Sequence, residues 1–453
     1  MIRQGILVFE DTPESARLLR LRVAGISLLD RAVRTMQRVG LKHILVLLPA
    51  TARPTLDRFT RGLPVEVEFA TWGAVPPPLG AGNFLLLMGD HVHHHSSLSA
   101  FVDAGLGDRS LVYQTSQPPE QDEAFYQVEA ATGALQPGQT PEAPTSTGAF
   151  LCAAGLFTSA ELSTSAHSPW SFLQQLAGSQ EPALEPAPPL WRRVSNRRGA
   201  RAAKKMLFGQ VTKPTSGFVS RHLNARLSIP TSKLLIGTGI SPHLVTVFLV
   251  LPTGLLAAYL VTFADHYPTL ALSGLLWHLA AVFDRCDGEI ARVKLCETKF
   301  GAWFDTVTDN LAYLAAGAGI FIGMGKLHPD TNLYLYSGLS TIGSLLLVLG
   351  LFYFFAMRRG SGSLQNYLIH FAHNVPEHDK GLVYRAMERY GFIAKRDFWA
   401  FVMFLGALSN MLGLVYWYSV ALIHLVALGM LLSLSKMLNW YKTTAEDETG
   451  ISR

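Results

Sequence analysis

Charge is scarce in this sequence. Only 16% of its 453 residues are Asp, Glu, Lys or Arg, whereas soluble globular domains carry about 25%. A wholly soluble protein is therefore not expected. Disorder is excluded from the other side, because 49% of residues are hydrophobic and the mean hydropathy is +0.24. Cysteine is rarer still: Cys152, Cys286 and Cys296 form no CxxC pair and no even set. That argues against a disulfide scaffold and makes a reducing compartment the default. The opening MIRQGILVFEDTPES lacks the apolar core of a signal peptide. The charge that is present leaves a net +5 and a pI near 9.0. In an apolar chain this points to a basic membrane-facing surface rather than to nucleic acid.

Long hydrophobic runs are absent before about residue 190. Short runs stand there instead: ILVF (6–9), HILVLLP (43–49), VEVEFA (65–70) and NFLLLMGD (83–90) read as strands, and LLDRAVRTMQRVG (28–40) as a crossover helix. This alternation predicts a Rossmann-like α/β domain with a mostly parallel sheet over residues 1–180. Residues 181–205 read as a linker, Pro-rich and then basic (Arg192, Arg193, Arg197, Arg198, Arg201, Lys204, Lys205), suited to anionic lipid headgroups. An amphipathic juxtamembrane helix is expected over 206–240. An all-α domain with six transmembrane helices is expected over 241–440, followed by a tail, 441–453. The spans lie near 243–263, 267–284, 302–325 and 333–357, and the 38-residue run 398–435 folds as a hairpin of two. Basic residues concentrate in the connections 285–301 and 358–397, whereas the opposite loops carry only Lys326. The positive-inside bias then places both termini and the α/β domain in the cytoplasm.

Acids inside a span are the informative feature. Asp305 and Asp309 lie within the third run, where each costs about 2.5–3.5 kcal/mol on insertion scales and needs compensation. Asp284, Asp287, Gly288, Ala291 and Arg292 share one helical face; Gly301, Asp305 and Asp309 share another. Two antiparallel helices can thus present four carboxylates to each other, a hard-oxygen set suited to Mg²⁺ or Mn²⁺, with two ions bridged by a carboxylate. Gly288, Ala291 and Gly301 keep that face flat for a bulky ligand, and Arg292 adds a cation for phosphate. Simple helix packing with acid–base pairs explains the small residues but not four acids on two facing stripes.

The segment DRCDGEIARVKLCETKFGAWFDTVTD (284–309) fits the pattern DxxDGxxARx8GxxxDxxxD without departure. It resembles the CDP-alcohol phosphotransferase family, over about residues 206–440. The resemblance implies transfer of a phospho-alcohol from a CDP-alcohol to a hydroxyl with release of CMP. It makes Asp284, Asp287, Asp305 and Asp309 the ligands of two ions, with Asp309 also the catalytic base. Gly288, Ala291, Arg292 and Gly301 would line the CDP pocket. SPHLVT (241–246) resembles the family's PNxxT start of the first span, which adds Thr246 to that pocket, with His243 where Asn is usual. Arg358, Arg359, Lys395 and Arg396 flank the connection 358–397 and are candidates for a phosphorylated acceptor, or else ordinary charge at span ends. By analogy with the family a homodimer is expected.

The first domain resembles a sugar-phosphate nucleotidyltransferase in VAGISLLDRAVRTMQRVGLKHILVL, in LLLMGDH (85–91), which would make Asp90 a metal ligand, and in TGAFLCAAGLF. It departs where chemistry needs it most. EDTPESARL replaces the glycine-rich loop after the first strand, so the backbone cannot wrap triphosphate closely, and Ile26 replaces the expected lysine. No cytidylyltransferase activity is expected. His91, His93, His94 and His95 read as a solvated loop rather than a metal site, and Cys286 as packing. The fusion most resembles di-myo-inositol-phosphate-phosphate synthases, which join CDP-inositol to inositol phosphate. Phospholipid synthesis from CDP-diacylglycerol is the enzymatic alternative. An ion-coupled transporter or an inactive scaffold ranks lower. The expected setting is a prokaryotic cytoplasmic membrane.

Overall fold

The computed structural model describes residues 2–74, 82–117, 126–129, 135–137, 144–154, 156, 182–213, 216–358 and 396–449. The chain divides into two compact units. The first is Met1–Val211 with Ile236–Gly239 and Arg292–Cys296; the second is Thr212–Leu235, Ile240–Ala291 and Glu297–Arg453.

The first unit runs β1 (Gln4–Val8), α1 (Pro13–Leu18), β2 (Arg22–Val23), β3 (Ile26–Ser27), α2 (Leu28–Arg38), β4 (His43–Leu48), α3 (Arg58–Arg61), β5 (Glu66–Thr71), β6 (Phe84–Met88) and β7 (His91–His93). It continues with α4 (His95–Ala104), β8 (Leu111–Ser116), β9 (Tyr126–Val128), β10 (Leu135–Pro137), β11 (Thr145–Cys152), β12 (Ala183–Pro186), β13 (Trp191–Arg193) and α5 (Arg197–Gly209). The continuous apolar runs β6, β1 and β4 lie side by side in parallel, almost wholly buried, as strands covered on both faces must be. The alternating VEVEFA run forms β5 at the sheet edge, where Glu66 remains exposed. Ser27 starts α2 by accepting from the Asp30 amide at 3.0 Å.

The sheet is mixed rather than mostly parallel. β11 runs antiparallel to β6, β8 and β9. β8 through β11 follow one another without a crossover helix among the described residues, and parallel pairing needs one. The expected linker is also structured. β12 pairs with β8, β13 pairs with β7, and α5 is capped by Asn196, whose side chain accepts from the Arg198 and Gly199 amides. Prolines and basic residues masked this in the sequence. Trp191, Val194, Ala203 and Phe208 supply the buried face, while Arg197, Arg198, Arg201 and Lys205 stay exposed. Residues 292–296 cluster with this unit because Arg31 donates to the Val293 carbonyl and Arg34 to the Lys294 carbonyl.

In the second unit a π-type turn, Ser220–Asn224, leads into α6 (Ala225–Leu235). The helical run α7 (Pro242–Phe263) follows, opened by Ser241 as N-cap with Pro242 at the first helical position. Then come α8 (Tyr267–Val293), α9 (Lys299–Leu327), α10 (Leu333–Arg358), α11 (Arg396–Leu408) and α12 (Leu412–Thr449). The last two form the expected hairpin, turning at Asn410 in a left-handed conformation with φ 55°. Helices overlie all six expected spans, but α11 is shorter than a span and α8 is not apolar enough to count as one. Four segments are long and apolar enough to cross a membrane: Pro242–Phe263, Lys299–Leu327, Leu333–Leu351 and Leu412–Leu431. The Leu333–Leu351 helix turns most of its apolar surface outward, uncovered by the rest of the protein.

Glycine sets the spacing of α7 and α9. A Cβ at Gly319 would collide with the Ala258 carbonyl, and one at Gly323 would stand 2.5 Å from the Val261 carbonyl. The GxxxG spacing therefore lets the two backbones touch. Gly317, by contrast, faces open space. Gly319→Val should lower the thermal midpoint, costing roughly 2 kcal/mol or more through forced separation. Gly317→Ala should be neutral or slightly stabilising in the same melting experiment.

Candidate metal and nucleotide site

The second unit brings part of the acidic motif together. Asp284 and Asp287 on α8 and Asp305 on α9 each offer a carboxylate oxygen, all within 4.8 Å of one another. Helical spacing delivers the first two to one face, and Thr298 fixes the start of α9 by accepting from the Gly301 amide at 2.9 Å. Two full charges at such a distance repel by about 3 kcal/mol at an effective dielectric of about 20. A divalent cation removes that cost, and three convergent carboxylates are the hard donor set that Mg²⁺ or Mn²⁺ takes. The residues present therefore fit such an ion.

Asp309 stands one turn beyond Asp305 on α9 and lies outside the three-acid cluster. It lines a small cavity of about 30 Å³ with Gly254, Trp277, Ala281, Tyr313 and Ala400. Trp277, Tyr313 and Trp399 close around one another there, with ring centroids 5.5 and 5.8 Å from Trp399. Thr246 is buried, with its hydroxyl donating to Asp287 Oδ2 at 2.5 Å. Gly288 and Ala291 are half-buried on α8. At Gly301 an added Cβ would stand 3.1 Å from the His243 ring, so the glycine makes room for His243, which also meets Phe300 and Phe304 edge-on.

Arg292 falls in the first unit, where its Nε donates to the Val211 carbonyl at 3.0 Å. Of the acceptor candidates, Arg358 ends α10 and Arg396 begins α11, while Arg359 and Lys395 lie outside the described residues. Sequence reading missed Arg285 and Glu289, both buried on α8 at pattern positions open to any residue. The signal was available: an i,i+4 ion pair flanked by Cys286 and Ile290 inside an apolar helix.

In the first unit the histidines do not form a solvated loop. His91 and His93 sit buried on β7, held against β13; His94 caps α4, and His95 begins it. Pairing with β13 decides the environment of β7, all three of whose residues are buried. Asp90 is engaged on both oxygens, by His91 Nδ1 and Arg193 Nε, each at 2.7 Å. Burial alone would raise its carboxyl, but these two partners outweigh that and hold it well below the usual range.

Residues 240–423 match the CDP-alcohol phosphatidyltransferase family. The chain is 28% identical over 317 residues to a bifunctional IPC transferase and DIPP synthase of Aquifex aeolicus, covering 65% of this chain and 71% of that one. It is 28% identical over 359 residues to the protein of the same name in Rubrobacter xylanophilus, covering 72% and 76%. A phosphatidylinositol phosphate synthase of Mycobacteroides abscessus is 35% identical over 107 residues, 23% of this chain and 46% of that one. Among solved structures, an inositol-1-phosphate CTP transferase from T. maritima aligns with 45% of this chain and 96% of its own at 14% identity and a TM-score of 0.35.

Two outcomes test the site as described. Thr246→Val should weaken divalent-metal binding roughly 10-fold, as losing a group that orients a ligand does; metal titration of the purified protein checks it. His93 is fully buried with neither ring nitrogen partnered among the described residues, and burial, with the His91 charge adding, pushes it down to about 3. Its folded value lies below the unfolded 6.5, so its contribution is complete above that pH and is lost as pH falls toward about 3. The first unit should therefore melt at progressively lower temperature across that window, and His93→Phe should flatten the dependence. Residues 240–423, which hold the three clustered acids, are the part of the chain that matches the CDP-alcohol phosphatidyltransferase family.

Proposed function

We propose that this protein transfers an inositol phosphate group from CDP-inositol to inositol phosphate, releasing CMP. The observation that carries the reading is the convergence of Asp284, Asp287 and Asp305 on two facing helices, in a domain whose relatives over most of the chain are named IPC transferase and DIPP synthase. The acceptor hydroxyl oxygen bonds to the phosphorus that bears the alcohol, the bond from that phosphorus to the CMP oxygen breaks, and the hydroxyl proton passes to Asp309. Asp284, Asp287, Asp305 and Asp309 would hold two Mg²⁺ or Mn²⁺ ions, which supply charge neutralisation on the diphosphate. Thr246 orients Asp287. Gly288, Ala291 and Gly301 leave a low surface for the nucleotide, and Arg292 adds a cation for its phosphates. Arg358, Arg359, Lys395 and Arg396 would receive the acceptor's phosphate.

The same reading places the six helices across a prokaryotic cytoplasmic membrane, both termini on the cytoplasmic side, in a homodimer. The first unit is read as a nucleotidyltransferase-like fold without turnover of CTP. No glycine lies between Gly5 and Gly25 to wrap a triphosphate, and the Asp90 carboxylate is committed to Arg193 and His91. The match to a phosphatidylinositol phosphate synthase supports CDP-diacylglycerol as the second candidate donor.

CMP release in detergent with Mg²⁺ tests both donors, each against inositol phosphate, free inositol and glycerol phosphate. CDP-inositol with inositol phosphate should be the productive pair. Asp309→Asn should lower the rate roughly 100-fold or more, the scale of a lost general base, while retaining metal-dependent CDP binding. Release only from CDP-diacylglycerol would replace the soluble donor by the lipid one.

A further inference from the structure

Arg285 and Glu289 occupy pattern positions open to any residue, yet they form the most completely bonded polar cluster described on α8. Glu289 is fully buried and pairs with Arg285 Nε at 2.7 Å, one helical turn away. Its two oxygens each accept a hydroxyl, from Ser228 and from Ser232, both at 2.7 Å. The Arg285 guanidinium spends each nitrogen separately. Nε also donates to Ser228 Oγ at 3.0 Å, and the two terminal nitrogens donate to Ser220 Oγ at 2.9 Å and Thr212 Oγ1 at 2.8 Å. All four hydroxyl partners lie on the segment 212–232, and all belong to the second unit.

At 100° per residue, Arg285 and Glu289 point about 150° away from the direction shared by Asp284 and Asp287. A buried pair of this kind adds little net stability over an apolar pair, and its best-attested use is to fix register. A one-residue slip of α8 against α6 would strand a buried carboxylate and a buried guanidinium without partners, so only one rotational setting of α8 satisfies the cluster.

We propose that Arg285 and Glu289, with Ser228 and Ser232, are positioning residues that lock the rotation of α8 and so aim Asp284 and Asp287 at Asp305 as a divalent-cation site. The inference rests on the metal-site reading given above. Thr246 completes the setting from the acidic side by bonding Asp287.

The test is Mn²⁺ affinity of the full-length protein in detergent, read by electron paramagnetic resonance beside the thermal midpoint. Variants are Glu289→Gln and the milder double substitution Ser228→Ala with Ser232→Ala. Both should weaken Mn²⁺ binding roughly 10-fold or more, with CMP release at a given Mn²⁺ concentration falling in step. A folded variant with a lowered thermal midpoint but wild-type Mn²⁺ affinity would overturn the proposal, leaving the cluster with a packing role alone. If Glu289→Gln does not fold, the double serine variant decides by the same criterion. Failure of the wild-type protein to bind Mn²⁺ would instead defeat the metal-site reading.

Discussion

Like-charge repulsion among Asp284, Asp287 and Asp305 is the constraint around which the second unit is built. Carboxylate oxygens from two helices lie within 4.8 Å of one another, in a domain otherwise so apolar that a single acid is costly. Nothing in hydrophobic packing favours that arrangement. It persists only if the helices are held in place by other contacts and if the charge is neutralised when the site works. The rest of the unit supplies the holding. Gly319 and Gly323 let α9 touch α7 backbone to backbone, Thr246 on α7 reaches Asp287, and the Arg285–Glu289 pair fixes α8 against the segment before the first span. The Thr246 and Arg285–Glu289 contacts are directional, whereas the surrounding Leu, Val and Phe contacts are not.

The first unit shows a different use of charge. Asp90, just past β6, has both oxygens engaged, by Arg193 on β13 and by His91 on β7. The stretch that carries Arg193 looked like a linker and instead closes the unit through Trp191, whose ring stacks on His91 at 5.5 Å. An ion-paired carboxylate of this kind ties the end of β6 to β13 and β7.

Much of this was legible in the residues. Apolar runs of four to six gave β1, β4 and β6 because fully buried parallel strands need no alternation, and the 3.6-residue period placed Asp284 with Asp287. The hairpin was visible as an apolar run twice the length of a span. Other features were hidden for physical reasons. Prolines and arginines in 181–205 look like solvent-exposed chain, and only pairing with β7 and β8 reveals their strands. His91 and His93 alternate with Val92 on a strand too short to show a period. Arg285 and Glu289 look like exposed charge until Ser228 and Ser232, more than fifty residues earlier, come into bonding range.

The central claim is that the carboxylate cluster is a cation site. Anomalous diffraction from crystals soaked in Mn²⁺ tests it most directly. The account predicts an anomalous peak within bonding distance of Asp284, Asp287 and Asp305, lost in an Asp305→Asn variant. A Mn²⁺ peak elsewhere, with none at these three residues, would contradict it.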